Sequence, residues 1–181
     1  LWSKYVKNNT YIPYLSFTVH FAKKIDFPNV WGNGFGSWGV AWIVMSDYFN
    51  DSESPTLISA LIVDLDTKSS NTGLTANETI DSNMLLEEAY LQIKDALQIK
   101  TSLKPRLILN SGVSRVNNKW TTDDLPFMRT SDTKYLSPFT VNNTKDLYWV
   151  GPHNGNNRYA FTSMESVCEN VVSFCTKLHP E

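Results

Sequence analysis

The sequence predicts an α+β fold, a mixed and largely antiparallel sheet with flanking helices, and three observations predict it. Leu15, Phe17, Val19 and Phe21 alternate with Ser16, Thr18 and His20; Val40 to Met45 is apolar without a break and Leu57 to Val63 is apolar but for Ser59; and from Ser82 the hydrophobic period changes to three and four. Alternation marks a strand with one wet face, and nearly unbroken runs rich in Val, Ile and Trp fit central strands covered on both faces. A period near 3.6 marks an amphipathic helix.

Taken in order, Leu15–Phe21 is the first strand, and Pro28 to Ser37 is a loop that leads into the strand at Val40. Asn50 to Pro55 supplies a turn, so a hairpin joins the two apolar runs. Asp66 to Thr79 is polar and loop-like. Leu85, Leu86, Ala89, Ile93, Ala96 and Leu97 form a helical stripe, with Asp81 or Ser82 as its N-cap and Pro105 beyond its end. Leu107 to Leu109 is a further short strand. Asn117 to Pro138 reads as irregular, anchored by Trp120, Phe127 and Tyr135. Leu147 to Val150 is a strand ending at Gly151, followed by a polar turn from Pro152 to Asn157. Thr162 and Glu165 then form a capping box ahead of a buried helix carrying Met164, Val167, Cys168, Val171, Val172 and Cys175.

A chain of 181 residues suits one ordinary domain or two small interlocked ones. Its 41% hydrophobic content and six Trp argue for a packed core. Net charge is −2, which gives no basic field for nucleic acid. The longest apolar run is too short to span a bilayer, so no membrane span is expected. The start at Leu1 lacks a signal-peptide pattern and reads like a cut into a longer protein. Twelve Lys against four Arg, with abundant Asn, suggest an AT-rich genome.

Cys168 and Cys175 are the two cysteines. Seven residues of helix separate their Cα atoms by roughly 10 Å, whereas a disulfide needs less than about 7 Å. They are therefore expected as reduced core thiols, which favours a cytoplasmic, reducing compartment. The sequons at Asn8, Asn50, Asn77 and Asn142 match roughly the three expected by chance in this composition and carry no weight.

Candidate chemistry divides into lures and possibilities. Gly34-Phe35-Gly36-Ser37-Trp38-Gly39 satisfies the dinucleotide fingerprint letter for letter, but a strand-like run follows it where a helix is needed. A flexible loop is the better reading. His20, His153 and His179 show no metal-ligand spacing, and no metal site is expected. His20 points to a polar surface or cavity, while His153 lies in a turn where a ligand can be met, with a plain turn residue as the equal alternative. Asp64 and Asp66 read as a solvated strand end. Tyr14, Trp31, Phe35, Trp38, Trp42, Tyr48 and Trp149 could line a flat-ligand pocket, although for each one the core is the simpler place.

At the C-terminal element, Asp146-Leu147-Tyr148-Trp149-Val150-Gly151, a polar turn, then Ser163-Met164-Glu165-Ser166-Val167 resembles the closing motif of flavin-containing amine oxidases and related desaturases. More weakly, Ile12-Pro13-Tyr14 before an alternating strand and Phe27-Pro28-Asn29-Val30-Trp31 is similar to the substrate domain of that family. The resemblance implies a substrate-type domain at 1–115, and a return segment with an FAD-domain strand and helix at 116–181. It places Gly151, Pro152, His153, Ser163, Met164 and Glu165 beside FAD, held non-covalently. A helix start there favours negative charge on a reduced flavin. It also implies an upstream segment or companion chain bearing the dinucleotide-binding unit, which is absent from these residues. The activity implied is oxidation of an amine or C–H small-molecule substrate by hydride transfer to flavin. Departures are visible: Pro152-His153 stands where the family commonly has an acid, and Ser16–Phe21 has no Lys. No catalytic residue is assigned. The alternative is a non-catalytic interaction module of the same fold within a larger assembly.

Overall fold

In the computed structural model the alternating segment is strand β2 (Leu15–Phe21) of a five-stranded antiparallel sheet. The structure describes residues 7–27, 31–46, 48–49, 52–100, 102–110, 112–123, 127–130, 136–140, 147–151, 153–156 and 164–178. The chain divides into two units, one spanning Pro13–Asp124 and the other joining Leu1–Ile12 to Leu125–Glu181.

In the larger unit the sheet order is β3 (Trp31–Phe35), β4 (Val40–Val44), β5 (Thr56–Ile62), β2 and β6 (Leu107–Asn110). The β4–β5 connection is the expected hairpin. One sheet face is fully buried. It carries Leu15, Phe17, Val19, Phe21, Val40, Trp42, Ile58, Ala60 and Ile62. Helix α1 (Ser82–Ala96), capped by the Asp81 carboxylate accepting from the Asn83 N–H at 2.8 Å, contributes Leu85, Leu86, Ala89, Tyr90 and Ile93 to the same core. The opposite face of β4 and β5 is half-buried rather than covered, which corrects the expectation of strands buried on both sides.

The glycine run is a hairpin turn between β3 and β4, with φ of +72°, +69° and +57° at Gly34, Gly36 and Gly39. Far from being a loose loop, it is pinned. Trp38 is fully buried, and its backbone N–H donates to Gln92 Oε1 of α1 at 3.0 Å. Gln92 Nε2 donates in turn to buried Glu88 Oε1 at 3.0 Å, which also accepts from Ser69 Oγ and from Asn71 Nδ2.

Strand β3 lies inside the stretch Pro28 to Ser37 that was expected to be a loop, and two further features of this unit were not expected. A 3₁₀ turn (Ala76–Glu78) starts with a Thr75–Glu78 capping box inside the stretch read as loop. A second hairpin, β7 (Val113–Val116) with β8 (Lys119–Thr122), occupies part of the region read as irregular. Its turn residues Asn117 and Asn118 both have positive φ, the type I′ requirement. Trp120 is buried as anticipated, and its indole N–H donates to Thr79 O and Oγ1 at 3.1 Å each. A boundary at 115/116 would cut β7, so this hairpin belongs with the larger unit. Phe127 lies in a strand whose side chains are not described, and Tyr135 lies outside the described residues.

In the second unit β1 (Asn9–Ile12) pairs antiparallel with β9 (Phe127–Thr130), and helix α2 (Met164–Leu178) follows. Leu147–Val150 does not form a regular strand. Among the described residues its one bridge joins Tyr148 to Thr140.

Candidate functional site

The predicted closing element is held together by buried amides as well as by Phe174 packed on Phe139 and Tyr148. Asn154 and Asn170 are both fully buried. Asn170 of α2 donates from Nδ2 to Asn154 Oδ1 at 2.8 Å and to Asn156 O at 3.2 Å, and its Oδ1 accepts the Gly151 N–H at 2.9 Å. Asn154 Nδ2 donates to Trp149 O at 2.6 Å, and Asn156 donates back to Asn154 Oδ1. Backbone bonds from Ser137 N to His153 O (2.8 Å) and from Gly155 N to Ser137 O (3.0 Å) tie the turn to the preceding segment. A buried polar network with its partners in place fixes one geometry, because each unmade bond would leave a desolvated group behind.

Gly151 sits in the middle of this network. Its φ is +124°, it is buried, and no described atom lies within 4 Å of where a Cβ would stand. A backbone that only glycine adopts readily, facing open space, is where a flat group can approach the main chain. Beside it, His153 Nε2 lies 3.1 Å from the Tyr11 hydroxyl, and the His153 ring meets Trp149 edge-on at 6.0 Å. Burial lowers the His153 pKa below its usual value, because the charged imidazolium is the form desolvation disfavours. The imidazole therefore stays neutral around pH 7, able to donate from one nitrogen and accept at the other.

Of the residues predicted from sequence, Gly151 and His153 stand together in this turn. Met164 and Glu165 open α2, Met164 being 82% exposed. Pro152 and Ser163, as well as the Thr162 cap and His179, lie outside the described residues. The expectation of a buried helix with core thiols is overturned. Cys168 and Cys175 are free and exposed, and the inward residues of α2 are the polar Ser166 and Asn170. Hydrogen bonding of Asn170 to the turn and the packing of Phe174 on Phe139 and Tyr148 together fix which side of α2 faces in. Of the seven aromatics, Trp38 and Trp42 are buried, whereas Trp31, Phe35 and Tyr48 are exposed and Tyr14 and Trp149 are intermediate.

In the larger unit, the half-open sheet face was not picked out as a site from sequence. Register places Trp31, Ile43, Ser59, Thr18 and Leu109 in one cross-strand row, with Leu57, His20 and Leu107 in a neighbouring one. His20 is fixed at both nitrogens, Nε2 by Thr18 Oγ1 at 2.9 Å and Nδ1 by buried Ser54 Oγ at 3.1 Å. An apolar platform with a hydroxyl–imidazole centre suits a small, mostly apolar molecule. Alternation in β2 signalled the face; the Ser54 partner, thirty-four residues away, left no local trace.

Among the described residues no group of three or more His, Cys, Asp or Glu is placed to hold a metal ion, and no helix is long and apolar enough to cross a membrane. No family model, curated protein or solved structure matches the chain.

Proposed function

We propose that this chain is the substrate-binding and C-terminal portion of an FAD-dependent oxidoreductase of amine-oxidase type, acting on an amine or C–H substrate. The reading is carried by Gly151: a buried glycine at φ +124°, open where a side chain would be, and locked by Asn170 of the helix that follows. A flavin bound there would supply the hydride acceptor. The chain's own part is positional. Gly151 lets the ring approach the backbone, Met164 and Glu165 stand at the helix start, and neutral His153 with Tyr11 offers a hydrogen-bonding edge. The family resemblance adds Pro152 and Ser163 to the proposed cofactor set, and a dinucleotide-binding unit from an upstream segment or companion chain would complete it.

The test uses the longer protein that includes the dinucleotide-binding unit. It should be yellow, with flavin absorbance that survives gel filtration. Gly151→Ala and Gly151→Glu strain the backbone alike, but only the second fills the open space with a carboxylate. Gly151→Ala is expected to retain flavin and Gly151→Glu to lose it, at equal helicity by circular dichroism. Equal retention by both variants would remove Gly151 from the cofactor site, and a colourless parent protein would sink the flavin reading. The second reading, a non-catalytic interaction module, is favoured by one observation: the outward face of α2 is apolar.

A further inference from the structure

We propose that Ser54, His20 and Thr18 form an acyl-transfer site in the larger unit, with Ser54 as the nucleophile, acting on a short-chain carboxylic ester. His20 Nδ1 lies 3.1 Å from Ser54 Oγ, and His20 Nε2 lies 2.9 Å from Thr18 Oγ1. A hydroxyl within hydrogen-bond reach of an imidazole whose far nitrogen is held by a third group is the arrangement that activates a serine. Burial decides which nitrogen of the neutral ring carries the proton. Ser54 is 6% exposed, and among the described residues His20 is the one partner of its hydroxyl. Were the proton on Nδ1, the Ser54 hydroxyl hydrogen would be buried without an acceptor, at its full desolvation cost. The Ser54 O–H therefore donates to Nδ1, and Nε2–H donates to Thr18, whose half-buried hydroxyl can give its own hydrogen to water.

The surroundings hold the pair in place. Arg106, just before β6, donates its backbone N–H to His20 O at 2.7 Å, while its guanidinium donates to Glu53 O at 2.9 Å and to Glu53 Oε2 at 2.8 Å. One residue thus ties the strand that carries the base to the peptide that leads into the nucleophile. On the far side, buried Thr56 Oγ1 accepts from the Ile25 N–H at 2.8 Å, and Pro55 restricts Ser54 to extended backbone. Holding nucleophile and base at a fixed separation removes the entropy that a mobile pair would lose during reaction. The neighbours of the ring set the substrate. Leu57 and Leu107 flank His20 in register on the two adjoining strands, and both lie on the open face, where a short acyl chain meets an apolar row. Arg106 spends two of its five N–H donors on Glu53, so cationic donors remain beside the Ser54 peptide for the negative oxygen of a tetrahedral intermediate.

In the reaction, Ser54 Oγ forms a bond to the acyl carbon as its proton passes to His20 Nδ1. The ester C–O bond then breaks, and the leaving alcohol takes that proton. Water gives a proton to Nδ1 as it attacks the acyl group; the carboxylic acid leaves, and Ser54 Oγ recovers the proton. No electrons are exchanged, and water is the co-reactant. Thr18 is a positioning residue, because it touches the ring and not the ester. The proposal goes beyond the flavin reading and does not rest on it, since Gly151, His153 and Tyr11 belong to the other unit.

The experiment uses the full 181-residue chain carrying Cys168→Ser and Cys175→Ser, which removes the two exposed thiols as competing nucleophiles. The probe is p-nitrophenyl acetate, with mass spectrometry after an acid quench to locate the acetyl group. This parent chain is expected to release p-nitrophenolate in a saturable reaction and to carry acetyl on residue 54. Ser54→Ala and His20→Gln should each lower kcat/KM at least about 100-fold, with folding of both followed by circular dichroism. Thr18→Val should lower kcat with little change in KM, and Thr18→Ser should restore it, a rescue that points to the hydroxyl and not to packing. Ser54→Cys keeps a nucleophile in place and decides the matter if Ser54→Ala does not fold; it should be acetylated at residue 54. A parent chain that cleaves the ester no faster than buffer overturns the proposal. So does a rate that folded Ser54→Ala leaves unchanged, or a residue 54 left bare in both the parent and Ser54→Cys. Flavin retention is measured separately, so either idea can fail alone.

Discussion

Asn170 fixes a whole turn with one amide. It accepts from Gly151 and donates to Asn154 and Asn156, and both it and Asn154 are fully buried. Asn170→Asp replaces the donor by an oxygen that faces Asn154 Oδ1, leaving a buried charge against an acceptor. It is expected to destabilise the smaller unit by about 3 kcal/mol, measured as a drop in the urea midpoint for loss of amide hydrogen-exchange protection in α2. His153 gives the unit a pH dependence of known sign. Its folded pKa lies below the unfolded value of about 6.5, so the unfolded chain takes up the proton more readily and stability rises with pH. The contribution is fully present above that value and is lost as pH falls through it; thermal melts at pH 5 and 7.5 should differ in that direction, and His153→Gln should flatten the difference. Neither asparagine was legible in the sequence as a network member. They stand sixteen residues apart, in a composition where Asn is common, and only Asn170's place among valines hinted at anything.

At the scale of elements, legibility followed locality. Strands β2, β4 and β5 and helix α1 were readable because their hydrophobic period is set within each segment. The periodic part of α2 was equally readable as a helix, but periodicity reports that a helix has an apolar side and not what that side meets. The side was assigned to the core, and the structure turns it outward. The β7–β8 hairpin was missed although Asn117-Asn118 is a turn pair tolerant of positive φ, a signal available to closer reading. The Asn77 sequon is explained structurally: Asn77 Oδ1 accepts from the Trp120 N–H at 2.9 Å and its Nδ2 donates to Asp66 at 3.0 Å, so both ends of the amide are in use. The pinned glycine turn makes a sharper prediction. A Cβ on Gly36 would stand 2.3 Å from Gln92 Oε1 at a φ of +69°. Gly36→Ala should cost about 2 kcal/mol of stability, from strain and a displaced Gln92. Gly34→Ala, with the same sign of φ but nothing within 4 Å, should cost less, and chemical denaturation of the pair separates the two causes.

For the molecule as a whole, the α+β class with an antiparallel sheet was readable, and the grouping of segments was not. Strand β1 joins β9 across more than a hundred residues, so the first twelve positions belong with the C-terminal unit. Such pairings are fixed by topology and leave no mark in local patterning. The proposed cofactor set rests on a motif spread over about twenty residues, which is legible in the sequence, whereas the turn's hydrogen bonds are not. The two rims of the large sheet, finally, differ in how they meet a crowded solution. At one rim β3 is glycine-rich and slips register between Gly32 and Phe35, which spoils it as a template for further strands. At the other, among the described residues, nothing pairs with the outer edge of β6, whose Leu107 and Leu109 are both exposed. Leu109→Lys should therefore raise the concentration at which turbidity appears on storage, with no loss of melting temperature. One margin of this sheet is blunted and the other left open to a further strand, so those four residues are where association on storage is expected to begin.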